Sequence, residues 1–211
     1  MVMGNDLSLT LRLLESNSTI EKKLRKAMAA ELNKKFNSIG SGFRVQLGKA
    51  LESWLMASPA ILAIVNGPLK GDFGIPKGKE IAAANKIVTA VAQASRVDFK
   101  PFTKNLKGGL TIKIQPANFK NILDAIEPVI TEKGESLDWI SWLLTRGDDV
   151  VVADYHVVPG NHGRSGDAVM KQGDFFRVRP EYSGTIEDNA ITRALKNRQK
   201  EIAKILNTLL R

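Results

Sequence analysis

Five ionisable side chains in one stretch of the sequence are of the types that bind zinc or transfer protons. They are Asp148, Asp149, Asp154, His156 and His162. Asp154 and His156 are two residues apart on a predicted strand and would share a face, but the chain contains no HExxH helix and only two histidines. This spacing favours a polar patch at a strand end over a metal site. An enzyme built on Asp154 and His156 is the third of three functional hypotheses, and no catalytic, cofactor-binding or metal-binding residue is predicted.

Residues 160–166, which include His162, are rich in glycine. They have the composition of a phosphate-binding loop. The stretch lacks the lysine and the serine or threonine that follow the last glycine of a P-loop. A strand rather than a helix is predicted after it, so no helix N-terminus would hold an anion there. The pattern predicts a hairpin loop with Arg164 at its tip, where the guanidinium could contact an acidic partner.

Nucleophilic and thiolate chemistry have no support in this sequence. There is no cysteine and no Gly-x-Ser-x-Gly elbow. Disulfides and thiolate metal sites are therefore excluded, and packing, together with neighbouring subunits, must hold the fold.

The charge of the chain is unevenly distributed. The net charge is +9; residues 21–35 hold six basic and two acidic side chains, and residues 187–211 hold six and three. Such segments attract polyanions, although two solvated helix faces would give the same pattern. Aromatic residues make up only 6% of the chain, which argues against sequence-specific recognition. Unspecific DNA or polyanion contact is predicted at Lys22, Lys23, Arg25, Lys26, Lys34 and Lys35.

No membrane anchor or secretory signal is expected from the sequence. The N-terminus lacks a basic region followed by a long apolar run. The longest apolar stretch, Trp54 to Val65, has 12 residues and contains Pro59, whereas a bilayer requires about 20.

The N-terminal region reads as two helices. Ser18 and Glu21 have capping-box spacing, and apolar residues recur every four positions from Ile20 to Phe36. Such a row drifts by about 40° per step, which predicts contact with its own domain at one end and with a neighbour at the other. A groove within the chain that wraps the helix is the alternative. Residues 38–42 are predicted to end this helix, and residues 43–56 to form a second one.

Residues 66–78 are predicted to form an ordered docking loop. Four glycines and two prolines occur in these thirteen residues, and loops of this length in compact domains tend to be functional or disordered. Leu69, Phe73 and Ile75 supply apolar anchors that a disordered linker would not need.

The rest of the pattern predicts an α+β fold: a small, mainly antiparallel sheet flanked by helices, with long N- and C-terminal helices, in a single domain over 1–211. The sheet region is 95–180. The expected elements are a helix at 80–93, strands at 96–102 and 110–114, a short buried helix at 137–144, and a strand at 150–158 whose first half, 150–153, is buried on both faces.

A final helix is expected from Asp188, as its cap, to the C-terminus. Its apolar positions alternate by four and three residues, like a coiled-coil seam, with Arg198 as the only interruption. At about 33 Å it is longer than a small sheet needs as cover. Its end, with Ile202, Ile205 and Leu209, is therefore predicted to reach a partner.

Several phrases, in this order, resemble neck and tail-completion proteins of tailed bacteriophages. They are LKGDFGIP (69–76), TEKG (131–134) followed by WISWLL (139–144), DYHV (154–157), RSGDAVM (164–170), RVRPEYSGT (177–185) and DNAITRAL (188–195). The resemblance implies a structural protein of the virion neck or tail, made in the host cytoplasm. It also implies a homo-oligomeric ring that contacts other neck, portal-side and tail proteins, with no catalytic residues to carry over.

Two functional hypotheses lead. The first is a ring-forming subunit that joins head and tail, with its subunit interface at Leu69, Phe73, Ile75, Arg164, Ile202, Ile205 and Leu209. The second is a basic, non-sequence-specific nucleic-acid-binding protein that uses the same basic helices.

Overall fold

The computed structural model describes residues 14–130, 134 and 136–211. The N-terminal stretch in which no signal is predicted, and residues 131–133 of the resemblance, lie outside the described residues. The fold is α+β as predicted, with a long N-terminal helix, a C-terminal helix and small antiparallel sheets. The chain divides into two compact units: the described part of Met1–Gly40 with Asp98–Thr111, and Ser41–Val97 with Ile112–Arg211. The single domain over 1–211 stays a prediction.

Helix α1 runs without interruption over Asn17–Met56, so the predicted break at 38–42 is wrong. Gly40 and Gly42 each cost about 1 kcal/mol in a helix. Four fully buried side chains follow at four-residue spacing and contribute about 2 kcal/mol each, which outweighs that cost: Phe43, Leu47, Leu51 and Leu55. The helix also begins earlier than expected, since Ser16 rather than Ser18 accepts a first-turn amide, from Thr19 at 3.3 Å.

The first unit has a small aromatic core. The ring centroid of Phe36, on α1, lies 5.5 Å from that of Phe99 and 5.3 Å from that of Phe102. Asn33 fixes the same segment, because it accepts from the Phe102 amide at 2.7 Å and donates to its carbonyl at 3.1 Å. Strands β1 (Arg96–Lys100) and β2 (Gly109–Lys113) are hydrogen-bonded to each other.

The four-residue apolar row of α1 is covered at only one end within the described residues. Phe36 is buried in the aromatic core, whereas Ile20, Leu24 and Met28 are exposed, Leu24 by 58%. The contact at one end agrees with the prediction, whereas the predicted contact of the other end with a neighbour stays a prediction.

The described part of the second unit has further helices after α1, and all of them except the last contribute buried residues to one apolar core. These helices are α2 (Pro59–Val65), α3 (Leu69–Asp72), α4 (Glu80–Ala94), α5 (Lys120–Leu123), α6 (Trp139–Leu144), α7 (Ala190–Leu195) and α8 (Gln199–Leu210). Helices α4 and α6 confirm their predictions, and every residue of α6 is buried. Within the described ranges no single helix is long and apolar enough to cross a bilayer; α1 and α2, bent by 66°, meet that requirement only as a pair.

The predicted sheet region contains three separate two-stranded sheets. After β1 and β2 come β3 (Val129–Ile130) with β4 (Ser136–Leu137), and β5 (Val150–Pro159) with β6 (Ala168–Arg177). Residues 150–153 are not buried on both faces as predicted: Val150 and Ala153 are exposed. Val151 is half-buried and packs against the core, whereas Val150 is exposed, so the core covers this strand only in part.

The C-terminal region also differs from its prediction. Asn189, not Asp188, caps α7, and the helix stops at Leu195 before α8 begins at Gln199. The interruption contains Asn197, whose φ of 65° lies in the left-handed region. Asp188 instead receives two hydrogen bonds from Arg193, at 3.0 Å each. The cause is geometric: the Asn189 side chain can both accept from the helix and donate to the preceding turn, which a carboxylate cannot do.

We expect Asn189→Ala to lower the free energy of unfolding by about 2 kcal/mol. The fully buried side chain accepts from the amides of Ile191 and Thr192 at 3.0 Å and donates to the Thr185 carbonyl at 2.8 Å. Asp188→Ala is the matched control, and urea unfolding measures both. A larger loss for Asp188→Ala than for Asn189→Ala would contradict this assignment of the cap.

Candidate functional site

The largest strand pair in the described part of the chain is the β5–β6 ribbon. Its antiparallel register runs from Val150 opposite Arg177 to Pro159 opposite Ala168. Six of the ten residues of β5 are valine or tyrosine, types that fit a pleated, half-buried surface. The ribbon is therefore a two-stranded antiparallel sheet within the described residues.

The turn end of the ribbon is a tight loop, as predicted for residues 160–166. The Gly160 amide donates to the Asp167 carbonyl at 3.1 Å, and the buried Ser165 hydroxyl accepts from the Asp167 amide at 3.2 Å. A Cβ on Gly163 would lie 1.7 Å from the Ala168 carbonyl oxygen. Only glycine fits there, so this glycine shapes the loop.

Helix α3 holds the turn end in place. Lys70 forms an ion pair with Asp167 at 2.7 Å, and the Arg164 carbonyl accepts from the Lys77 amide at 3.4 Å. The backbone of Gly71 lies so close to Ala168 that an added Cβ would be 2.9 Å from the alanine methyl. The Arg164 side chain itself is exposed.

The other end of the ribbon is fixed by the core and again by α3. Phe176 and Val178 are buried. The Arg179 Nε donates to the Asp72 carboxylate at 3.0 Å, and Arg177 Nη1 donates to the Asp148 carbonyl at 2.8 Å. Lys70 and Asp72, two positions apart in one short helix, therefore hold Asp167 and Arg179.

The ribbon has a bulge at its middle, where Asp154 lies opposite Gly173 and Asp174. All three have φ in the left-handed region, at 62°, 98° and 69°. Bulges bend a strand and raise its twist. Eleven straight strand residues would span about 36 Å, far more than the contacts to α3 allow, so the bulge supplies the bend that brings both ends to that helix.

The five aspartate and histidine residues between positions 148 and 162 are spread along the ribbon and its flanks. Asp148 and Asp149 precede β5, Asp154 is in the bulge and His162 is exposed in the loop. His156 Nδ1 lies 2.8 Å from the Gly173 carbonyl oxygen, a contact that fastens the bulge. No three His, Cys, Asp or Glu side chains come close enough to hold a metal ion in the ranges that the structure describes.

The outward face beside the bulge is apolar, which sequence reasoning missed. Phe175 is 54% exposed and Val150 is 40% exposed, and the guanidinium of Arg177 lies 5.2 Å from the Phe175 ring centroid. Strand alternation in residues 175–178 is the signal that could have revealed it, since Phe175 and Arg177 point to one side and the two buried residues to the other.

Three of the predicted interface residues are buried inside the second unit. Leu69, Phe73 and Ile75 anchor residues 66–78 to the core, and the ring centroid of Phe73 lies 5.2 Å from that of Trp139. Their side chains are not accessible to a neighbouring subunit, so this part of the prediction is corrected. The segment is ordered as predicted, but its apolar anchors point inward.

The other predicted interface residues lie on α8, apart from the exposed Arg164. Ile202, Ile205 and Leu209 are each half-buried, and Leu209 Cδ2 lies 3.8 Å from where a Cβ of Gly42 would be. The helix has no fully buried residue. Part of its apolar face therefore packs on the second unit itself, and the interface role stays a prediction.

The six basic residues of α1 that are predicted to contact DNA or another polyanion do not form one face. Steps of about 100° per residue place Lys22 and Lys26 opposite the exposed apolar row. Lys23 is paired with Glu15, and Arg25 Nε donates to Glu21 at 2.9 Å. Within the described residues Lys22 and Lys26 have no ion pair, and Lys34 and Lys35 come two turns later.

A cleft of about 290 Å³ lies between the end of α1, α2 and α7. Two arginines line it, but both are already engaged. Arg193 donates to the Ser183 carbonyl at 3.0 Å in addition to Asp188, and Arg198 donates to Glu201 at 2.8 Å while its guanidinium lies 5.2 Å from the Trp54 ring centroid. Because both arginines are engaged, the cleft has fewer free polar and charged groups for a ligand than the ribbon has for a partner.

No protein-family model, curated protein or solved structure matches this chain.

Burial is the main influence on the pKa of the Asp72 carboxyl group, which binds Arg179 at the base of the ribbon. The side chain of Asp72 is 8% exposed, and this desolvation raises its pKa above the ordinary value, while the hydrogen bond and charge of Arg179 act in the opposite direction. Because the folded-state pKa is raised, the folded protein binds this proton more tightly than the unfolded chain. Ionisation of Asp72 therefore opposes folding as the pH rises through and above 3.8.

We expect Arg179→Ala to raise the pKa of Asp72 further and to lower stability more at pH 7 than at pH 3. The reason is that an ionised, buried carboxylate would lose its partner. Carboxyl NMR titration and urea unfolding at both pH values measure this, with Arg164→Ala as the control because that side chain is exposed in the loop. An unchanged pKa for Asp72 would contradict the role of Arg179.

Proposed function

We propose that this protein is a structural subunit of the virion of a tailed bacteriophage. Copies of it form a ring at the neck or tail-completion position and join head to tail. Two lines support the proposal: the ordered phrases between residues 69 and 195 that resemble such proteins, and apolar surfaces that the chain itself leaves uncovered.

The observation that carries the proposal is the contiguous apolar surface in the described part of the chain. Scattered exposed apolar residues are ordinary in monomers, but contiguous ones mark interaction sites. Phe175 and Val150 share the outward face of the ribbon, and Leu24 has exposed apolar neighbours one turn away on either side of it. Two different surfaces of this kind suit head-to-tail contacts, which close into rings.

The positions of the resembling phrases support the same proposal. Residues 69–76 contain α3 and the turn after it, residues 139–144 are α6, and residues 154–157 and 164–170 lie in the ribbon and its loop. Part of the resemblance therefore lies in the ribbon and in α3, which contacts it, and part lies in α6 and α7 of the same unit.

Two measurements test the proposal. Mass spectrometry of purified virions should detect the chain in a fixed multiple of copies per particle, and negative-stain electron microscopy of the purified protein should show closed rings. Absence from the particles, together with a monomer at all concentrations, would overturn it.

Nucleic-acid binding is the second candidate, and one observation favours it. Lys22 and Lys26 are exposed, lie one turn apart on one side of α1 and have no ion pair within the described residues. Such lysines can neutralise phosphates without reading sequence.

If α1 binds duplex DNA, Lys22→Ala with Lys26→Ala should weaken binding and reduce the slope of log affinity against log salt by about 2, since each lost phosphate contact removes about 0.9. Fluorescence anisotropy at salt concentrations between about 50 and about 200 mM measures the slope. Lys120→Ala, an exposed lysine on α5, is the control. Equal slopes for all three proteins, or no binding at low salt, would exclude this function.

A further inference from the structure

We infer that the β5–β6 ribbon is itself the ring contact: β6 of each copy pairs with β5 of the next copy, so that the ribbons join into one antiparallel sheet. The inference rests on the proposed ring and names the surface that forms it. The partner is a second copy of this chain.

The ribbon has two open edges. Within the described residues no third strand pairs with β5 or with β6, so each strand uses one side for its partner and presents the other. Open edges invite pairing with another chain, and proteins that remain monomeric shield them. Pro159 at the very end of β5, the central bulge and a second register shift at Val151 interrupt the edges, and the strand residues between these points keep regular pairing.

The two edges are different, and this decides the geometry. When β6 pairs with β5 of the next copy, the antiparallel order of the ribbon continues across the contact. A row of copies joined in this way has one open strand edge at each of its two ends. Such a contact is head-to-tail and ends only when a ring closes. Pairing of identical edges would instead stop at a twofold dimer.

Charge favours the head-to-tail choice. The segment from Gly147 to Pro159 contains three carboxylates and neither lysine nor arginine, whereas β6 carries Lys171 and Arg177 against the single carboxylate of Asp174. Like charges opposite each other on neighbouring strands are destabilising, and opposite charges stabilise. Two β5 edges would bring the Asp154 carboxylates together, whereas a β6 edge brings lysine to them.

A specific register follows from these charges. Lys171 now lies opposite His156, and Arg177 lies opposite Val150. A shift of two residues along β5 of the next copy places Lys171 opposite Asp154. It also places Arg177, which is already paired with Asp148 of its own chain, opposite Asp148 of the next copy. Because the side-chain period of a strand is two, this shift keeps every side chain on its own face. It also places the exposed Phe175 beside the next copy, which covers part of its ring.

Charge reversal tests the pairing. Asp154→Lys and Lys171→Glu, each alone, should raise the concentration needed for ring formation by about tenfold or more, because each brings like charges together. An equimolar mixture of the two variants should recover assembly, since every contact between unlike copies again joins opposite charges. Mixing cannot repair an interaction inside one chain, so recovery reports a contact between copies. Lys120→Glu is the control and should assemble normally.

Engineered thiols provide the second test, because the chain has no cysteine. Mixed Asp154→Cys and Lys171→Cys variants should form a disulfide-linked heterodimer on oxidation, and neither should form a homodimer alone. Rings unaffected by both charge reversals, or an Asp154→Cys homodimer, would overturn the ribbon contact while leaving the proposed function intact. Ribbon pairing in a protein absent from virions would overturn the proposed function alone, and a wild-type chain that is monomeric at every concentration would overturn the ribbon contact.

Discussion

Helix α3 forms ion pairs at both ends of the β5–β6 ribbon. The surface of the second unit depends on this constraint. Lys70 holds Asp167 at the turn end, and Asp72 holds Arg179 just beyond the base. A straight ribbon of this length could not reach both. The bend at Asp154 and Gly173 is therefore a requirement of the fold, and it is achieved with residues in the left-handed region rather than by shortening the strands.

These contacts support the ribbon but do not cover its outward face. The buried residues of its base face the core, the outward face exposes Phe175, and both edges remain without a third strand in the part of the chain described. A free two-stranded ribbon is marginally stable in water, so the ion pairs to α3 and the core contacts make it rigid before any partner arrives. A preorganised edge loses little conformational entropy on pairing, which favours assembly.

Much of the architecture was predictable from local patterns, and the errors have physical causes. Helices α4 and α6 and the 160–166 loop follow directly from periodicity and glycine content. The break in α1 was expected because glycine propensity is local, whereas the buried side chains that override it are contributed by tertiary packing. Asp188 was expected to cap because carboxylates generally do so, but the buried position at 189 requires a group that both accepts and donates.

The candidate site was harder to predict than the fold. The apolar residues of segment 66–78 indicate an ordered loop, but sequence alone cannot distinguish an anchor to the chain's own core from an anchor to a neighbour, and here Leu69, Phe73 and Ile75 are turned inward. The proposed partner surface lies instead on β6, where Phe176 is buried and Phe175 is exposed. Which of the two faces outward depends on the register with β5, and a bulge sets that register.

The central claim is that copies of this chain join head to tail through their ribbons. A cryo-electron microscopy reconstruction of the assembled ring tests it most directly. The account predicts β6 of each copy hydrogen-bonded antiparallel to β5 of the next, with Lys171 beside Asp154 across the contact. A ring whose ribbons are separate, with neighbouring copies joined only through other elements, would contradict it.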